Sequence, residues 1–183
     1  MVDLAVTYFY SAYPAYAYID HQAFLKLAHE GGRTVVHKPF KLMKCLDNIG
    51  YQSLEERTEK TLDYRFNRQR NLWAKFRSIQ IPKVTPSSHS NGAKIADLLL
   101  LSAIKLGINV NYLSYLFMQN HWINNLDLSE ENGVLEIFLA QGFKAKAIKS
   151  SVFGSRTYFA DGGMLYGQDN LKLVKRALRR PFK

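Results

Sequence analysis

The chain predicts an α/β fold in which a strand–helix–strand unit and a closing strand–strand–helix unit flank a helical insertion. Three observations carry that expectation. Residues 4–40 pass from a β-branched and aromatic run to helical spacing and back again. Residues 42–141 hold helical segments punctuated by glycine and proline. Residues 152–180 give two short strand-like runs with a tight turn between them and then a helix entry.

The elements follow in order. Leu4-Ala5-Val6-Thr7-Tyr8-Phe9-Tyr10 is β-branched and aromatic, which predicts a buried first strand. Pro14 breaks that pattern, and Tyr16, Ile19, Phe24, Leu25, Leu27 and Ala28 then recur at mostly helical spacing until Gly31-Gly32 stops the helix. Thr34-Val35-Val36-His37-Lys38-Pro39-Phe40 reads as a second strand, and strand, helix and strand at this spacing predict a right-handed parallel unit. A short helix over residues 42–49 ends at Gly50, and a long polar amphipathic helix covers residues 55–76. Pro82, Pro86, three serines and Gly92 make residues 82–92 a loop. Helices follow over residues 93–106, closed by Gly107, over residues 110–123, and over residues 130–141, where Ser129 is placed to cap and Gly142 to terminate. A last helix is expected over residues 169–180.

Composition bounds the function. A chain of 183 residues, 47% hydrophobic and 22% charged, can bury a core as one domain, and nothing in it suggests wholesale disorder. One cysteine, Cys45, permits no internal disulfide and no Cys-x-x-Cys redox chemistry, so it is expected as a buried or half-buried structural thiol. Residues 4–19 are apolar, but Asp3 stands where an export signal needs positive charge, and the aliphatic run at residues 98–101 is too short to span a bilayer. A cytoplasmic protein with no membrane partner is the expectation.

The net charge of +10 suits an anion-binding protein, with basic residues gathered at residues 65–77 and 172–183. Lys175, Arg176, Arg179 and Arg180 crowd a predicted helix end, where cations are favoured without any ligand. A nucleic-acid partner is not expected, because no recognition motif accompanies the charge. The five histidines show no metal-ligand spacing, and they are expected as ordinary surface or core residues. No Walker loop, dinucleotide fingerprint or serine-hydrolase elbow is present. Tyr112, Tyr115, Phe117 and Trp122 lie at helical spacing and read as core more readily than as pocket lining.

Three segments carry a family resemblance. Val152-Phe153-Gly154-Ser155-Arg156-Thr157 resembles the Gly-Val-Phe-Gly-Val-Pro-Thr signature of the 2-hydroxychromene-2-carboxylate isomerases, in the DsbA-like, kappa-class glutathione transferase branch of thioredoxin folds. Tyr16-Ala17-Tyr18-Ile19 is similar to the end of that family's Ser-Pro-Tyr-Ser/Ala-Tyr-Leu opening. Tyr166-Gly167-Gln168-Asp169 resembles its Trp/Tyr-Gly-Gln/Ser-Asp. The likeness covers roughly residues 4–50 and 108–180, and only Phe143 to Ser151 stands where the family carries a further helix of about twenty residues. It implies a thioredoxin-like fold with an inserted, shortened helical subdomain: one DsbA-like domain over 1–183, with a core of about 1–50 and 151–183 and an insertion of about 51–150.

The resemblance also implies a chemistry. In the family, a serine at the start of the first helix hydrogen-bonds the glutathione thiol. The ungapped match puts Pro14 at that position and Ala15 at the proline, whereas a one-residue insertion puts Tyr13 opposite the serine. Tyr13 is the candidate thiol donor, and Ser11, the nearest serine, is a second candidate or a turn-stabilising hydroxyl. Arg156 stands at the family's cis-proline, where a cis bond without proline costs about 2.5–4 kcal/mol. Ser155 matches the residue that pairs with the cysteinyl unit of glutathione, and Gln168 and Asp169 match those holding its γ-glutamyl group. Asp169 can equally be an N-cap. Arg156 offers a planar fork to a carboxylate.

The implied function is a glutathione-dependent isomerase or kappa-type transferase acting on a small aromatic or anionic substrate, with glutathione as cosubstrate and a homodimer as the assembly to look for. The alternative is a catalytically degenerate thioredoxin-fold binding protein that keeps the scaffold without thiol chemistry.

Overall fold

Valine, threonine and tyrosine alternate in the first strand, β1 (Ala5–Tyr10), so that one face can be apolar and packed. A computed structural model of the chain describes residues 5–51, 56–142, 157–160 and 163–166. In it β1 lies parallel to β2 (Thr34–Pro39), with Ala5 opposite Thr34 and Tyr10 opposite Pro39. The helix α1 (Ala15–Glu30) joins them, giving the expected strand–helix–strand unit. The pair is half-buried rather than buried. Val6, Tyr8 and Tyr10 of β1 and Val35, His37 and Pro39 of β2 turn inward, while Phe9 is 66% exposed on the opposite face.

Glycine ends the elements where the backbone must turn left-handed. Gly32 and Gly50 have φ of 63°, at the ends of α1 and of α2 (Leu42–Asn48). None of the α2 residues is buried, and Cys45 on it is exposed. The expected structural thiol is therefore a solvent-facing one, because this seven-residue helix lays no face against the core.

The stretch expected as one amphipathic helix is helical without a break from Glu59 to Phe76 among the described residues, in three abutting pieces. These are α3 (Glu59–Leu62), a π-helical turn (Asp63–Gln69) and α4 (Arg70–Phe76). Wide turns of this kind accept side chains from outside the helix. Here the Tyr16 hydroxyl of α1 donates to the Arg65 carbonyl at 2.6 Å. Arg70 and Ala74 face inward from α4, while Leu72, Trp73 and Phe76 are exposed. Arg77 pairs with Asp20 of α1.

A loop with one 3-10 turn (His89–Asn91) leads to α5 (Lys94–Lys105), α6 (Asn111–Asn124) and α7 (Glu131–Ala140). Glu130, not Ser129, is the N-cap of α7, and the Ser129 hydroxyl donates instead to Asp127 at 2.7 Å. Ile19, Leu100, Leu113, Phe117, Met118, Leu128, Val134 and Phe138 form the core of this unit. Each such side chain stabilises by roughly 1.5–3 kcal/mol on burial. Phe117 and Trp122 are buried as expected, but Tyr112 is 59% exposed.

The chain divides into two units, Met1–Phe143 and Lys144–Lys183. In the second, β3 (Thr157–Ala160) pairs antiparallel with β4 (Gly163–Tyr166). The expected terminal helix lies outside the described residues. No helix among the described residues is long and apolar enough to cross a membrane.

Candidate functional site

The turn from β1 into α1, residues 11–14, is where the described candidate residues meet, and it is held from both sides by the helical insertion. Ser11 directly follows β1, and its hydroxyl donates to Oδ2 of Asp97 at 2.8 Å. The Ala12 N–H donates to Oδ1 of the same carboxyl group at 3.1 Å. From α6, the Trp122 indole N–H donates to the Tyr13 carbonyl at 2.9 Å. Pro14 then serves as the N-cap of α1 with φ of −64°, with no side-chain cap and no acidic residue in the first turn. A helix start without a carboxylate cap keeps its positive end and its first amides for an incoming anion or thiolate.

Asp97 is the site residue that motif reading missed. It is 6% exposed, and burial pushes its carboxyl up to about 7, against the lowering pull of Ser11 and the Ala12 amide. The signal was a lone carboxylate inside Lys94-Ile95-Ala96-Asp97-Leu98-Leu99-Leu100, where an acid on an apolar face needs a partner. Tyr13 is 8% exposed, and burial first, then the nearby Asp97, raises its phenol. It therefore stays protonated at neutral pH and able to donate.

Two histidines complete the wall behind Tyr13. Its ring meets His89 edge-on at 5.1 Å, and His89 Nδ1 lies 2.9 Å from His121 Nε2. His121 Nδ1 is 2.8 Å from the Leu126 carbonyl, which can only accept, so that nitrogen carries the proton. His121 Nε2 is then the acceptor, and His89 donates to it through Nδ1. Burial, then His121 and Arg70, pushes His89 down to about 4, and burial lowers His121, so both rings are neutral near pH 7. Arg70 packs its guanidinium 5.7 Å from the Trp122 ring and donates to the Lys83 carbonyl at 3.0 Å.

A second polar network lies under the strands. His21 Nε2 donates to the Asn111 carbonyl at 3.0 Å, which leaves Nδ1 to accept from Tyr8 at 3.3 Å. His37 repeats the pattern, with Nε2 at 2.6 Å from Asn111 Oδ1 and Nδ1 at 3.1 Å from the Tyr10 hydroxyl. Burial holds His21 down at about 4 and lowers His37. The expectation of ordinary histidines stands for this pair, which are core residues with satisfied nitrogens. Among the described residues no group of three or more histidine, cysteine, aspartate or glutamate side chains is placed to hold a metal ion.

Of the sequence-derived candidates, the structure brings Ser11 and Tyr13 together in one turn with Pro14. Ser155, Arg156, Gln168 and Asp169 lie outside the described residues, as does the Ser155–Arg156 peptide bond.

No family model matches the chain, and no curated protein matches it. Among solved structures it is similar to a selenomethionine form of 2-hydroxychromene-2-carboxylate isomerase, with a TM-score of 0.52 and 19% sequence identity over 96% of this chain and 95% of that one. That likeness, with the parallel β1–β2 pair joined by α1 and the inserted helices, shows a mixed α/β, thioredoxin-like fold.

Proposed function

We propose that the protein is a glutathione-dependent isomerase, or a kappa-type glutathione transferase, acting on a small aromatic or anionic substrate. The observation that carries the reading is the Tyr13 phenol. It sits protonated in a turn clamped by Asp97 and Trp122, at an uncapped helix start, within a thioredoxin-like fold. The amides and dipole at the start of α1 fit a thiolate, and the Tyr13 O–H is a donor to it. Bound there, glutathione would supply a thiolate that adds to an unsaturated carbon of the substrate, frees the bond to rotate, and leaves again.

In this reading Tyr13 holds the thiolate through its hydroxyl, and Asp97 and Trp122 fix where that hydroxyl points. Ser11 serves the turn, since its own O–H is engaged by Asp97. Ser155, Gln168 and Asp169 hold the tripeptide on the resemblance alone, and Arg156, which departs from it, offers its planar fork to a substrate carboxylate. A cytoplasmic setting and a homodimer belong to the same proposal.

Calorimetric titration with glutathione tests it. Saturable heat is expected at millimolar ligand or below, and none would overturn the reading. The second reading, a binding protein without thiol chemistry, is favoured by Pro14 standing where the family serine is expected and by the engaged Ser11 hydroxyl. Glutathione binding without any turnover of aromatic enone acids would decide for it.

A further inference from the structure

Arg70 is a buried cation, 2% exposed, that has no acid for a partner among the described residues. Arginine is rarely buried so deeply unless a carboxylate or another anion meets it. Burial pulls its guanidinium down from the usual value, with the Tyr16 phenol acting against this and no acid doing so.

The guanidinium is held in place but not satisfied. Nε donates to Asn71 Oδ1 at 3.3 Å, and Nη2 donates to the Pro82 and Lys83 carbonyls at 3.3 and 3.0 Å. Nη1 has no acceptor in the protein. No buried side-chain nitrogen of the described residues lacks a partner, so Nη1 must open to solvent. Three fixed bonds thus present two free N–H donors in one orientation, which lowers the entropy cost of holding a ligand.

These donors stand at the Tyr13 wall. The guanidinium carbon lies 5.7 Å from the ring of Trp122, the side chain that bonds the Tyr13 carbonyl. Burial raises the Tyr16 phenol in the first turn of α1, and Arg65 and Arg70 pull it back, which places the Arg70 charge beside that turn. The uncapped start of α1 adds potential of the same sign. Nearby acids are taken: Asp97 accepts from Ser11 and Ala12, and Asp20 pairs with Arg77. His89 is neutral and brings no competing charge. The rings of Tyr13, His89 and Trp122, set at steep angles 5.1 and 5.3 Å apart, border the place and suit a flat aromatic body.

We propose that Arg70 seats the carboxylate of a small aromatic acid beside the Tyr13 turn, through Nη1. This deepens the isomerase reading by naming the residue that selects an acid substrate, while the binding itself needs no glutathione.

The test uses the whole chain without glutathione, with trans-cinnamate as probe and trans-cinnamamide as neutral control. Calorimetry should give saturable binding of the acid at millimolar concentration or below, with the amide at least about tenfold weaker. Arg70→Gln should weaken the acid about tenfold, and Arg70→Lys, which keeps the charge and loses the fork, should weaken it less. Should neither variant fold, the unaltered protein still reports the site. The Arg70 Nε–H and Trp122 indole N–H resonances must move on titration with cinnamate. Unmoved resonances with no saturable heat overturn the proposal. So does cinnamate binding that Arg70→Gln leaves unchanged, and so does a loss in Arg70→Gln of glutathione affinity alone, which would give the arginine to the tripeptide. Glutathione failing to bind the unaltered protein overturns the isomerase reading, and cinnamate binding through Arg70 would still stand.

Discussion

The Asp97 carboxyl group reaches across 86 positions of sequence to accept the Ser11 hydroxyl at 2.8 Å. A single side chain of α5 thereby fixes the conformation of the residues that lead into α1. Its burial and its two donors act in opposite directions on its proton, and burial wins.

That balance gives Asp97 a pH signature. Its folded value of about 7 lies above the ordinary 3.8, so the folded protein binds the proton more tightly than the unfolded chain does. The stabilisation it contributes is full below about pH 4 and is lost as pH rises through 7. An asparagine at this position would keep an acceptor for the Ala12 amide without a buried charge, so Asp97→Asn should match the unaltered protein near pH 4. At pH 8 the variant should be the more stable by on the order of 3 kcal/mol. Melting curves against pH check this, and a difference that stays constant from pH 4 to 8 would show that Asp97 does not titrate as described.

The buried histidines pull the other way. His21 and His89 are held neutral at about 4, below the ordinary 6.5, so their contribution is present above pH 6.5 and lost as pH falls through 4. In the Asp97→Asn background the opposing slope is gone, and stability should fall steadily from pH 6.5 to 4. His21→Gln in that background should flatten part of the fall, as read by denaturant unfolding at each pH.

Trp122→Phe keeps a ring in the core but removes the donor to the Tyr13 carbonyl. A buried acceptor left without its partner costs about 1–3 kcal/mol. Urea unfolding should show a loss of that size, and glutathione affinity should fall with it if the turn is the binding element.

Tyr13→Phe should leave glutathione binding nearly intact and slow turnover at least about tenfold, since the amides of α1 remain and only the donor is lost. Steady-state kinetics on aromatic enone acids, beside calorimetry, separates the two effects. Equal turnover by the phenylalanine variant would remove Tyr13 from the mechanism.

Cys45 is exposed and is the chain's one cysteine. A thiol-specific reagent should therefore label the native protein to completion without denaturant. Labelling that waits on unfolding would contradict its placement on the outer face of α2.

Much of the first unit was legible as pattern. β1, α1 and β2 followed from β-branched and aromatic runs and from helical spacing, because those signals lie in each element's own residues. The π-helical turn at Asp63–Gln69 was not, since its width depends on what Tyr16 brings from another helix. The exposure of Cys45 escaped for the same reason: an apolar-looking seven-residue helix is buried only if something packs on it. Ser11 and Tyr13 could be picked out by motif, yet their anchors, Asp97 and Trp122, could not, because a partner 86 or 109 positions away leaves no local mark.

Those separations also set when the turn can form. Loops of such length close late and slowly relative to local helices, so β1 and α1 can be made well before the turn between them is fixed. The anchors of the Ser11–Pro14 stretch are complete only once both α5 and α6 have been made. A fragment ending before Asp97 would carry every residue of the turn and neither of the side chains that hold it from outside.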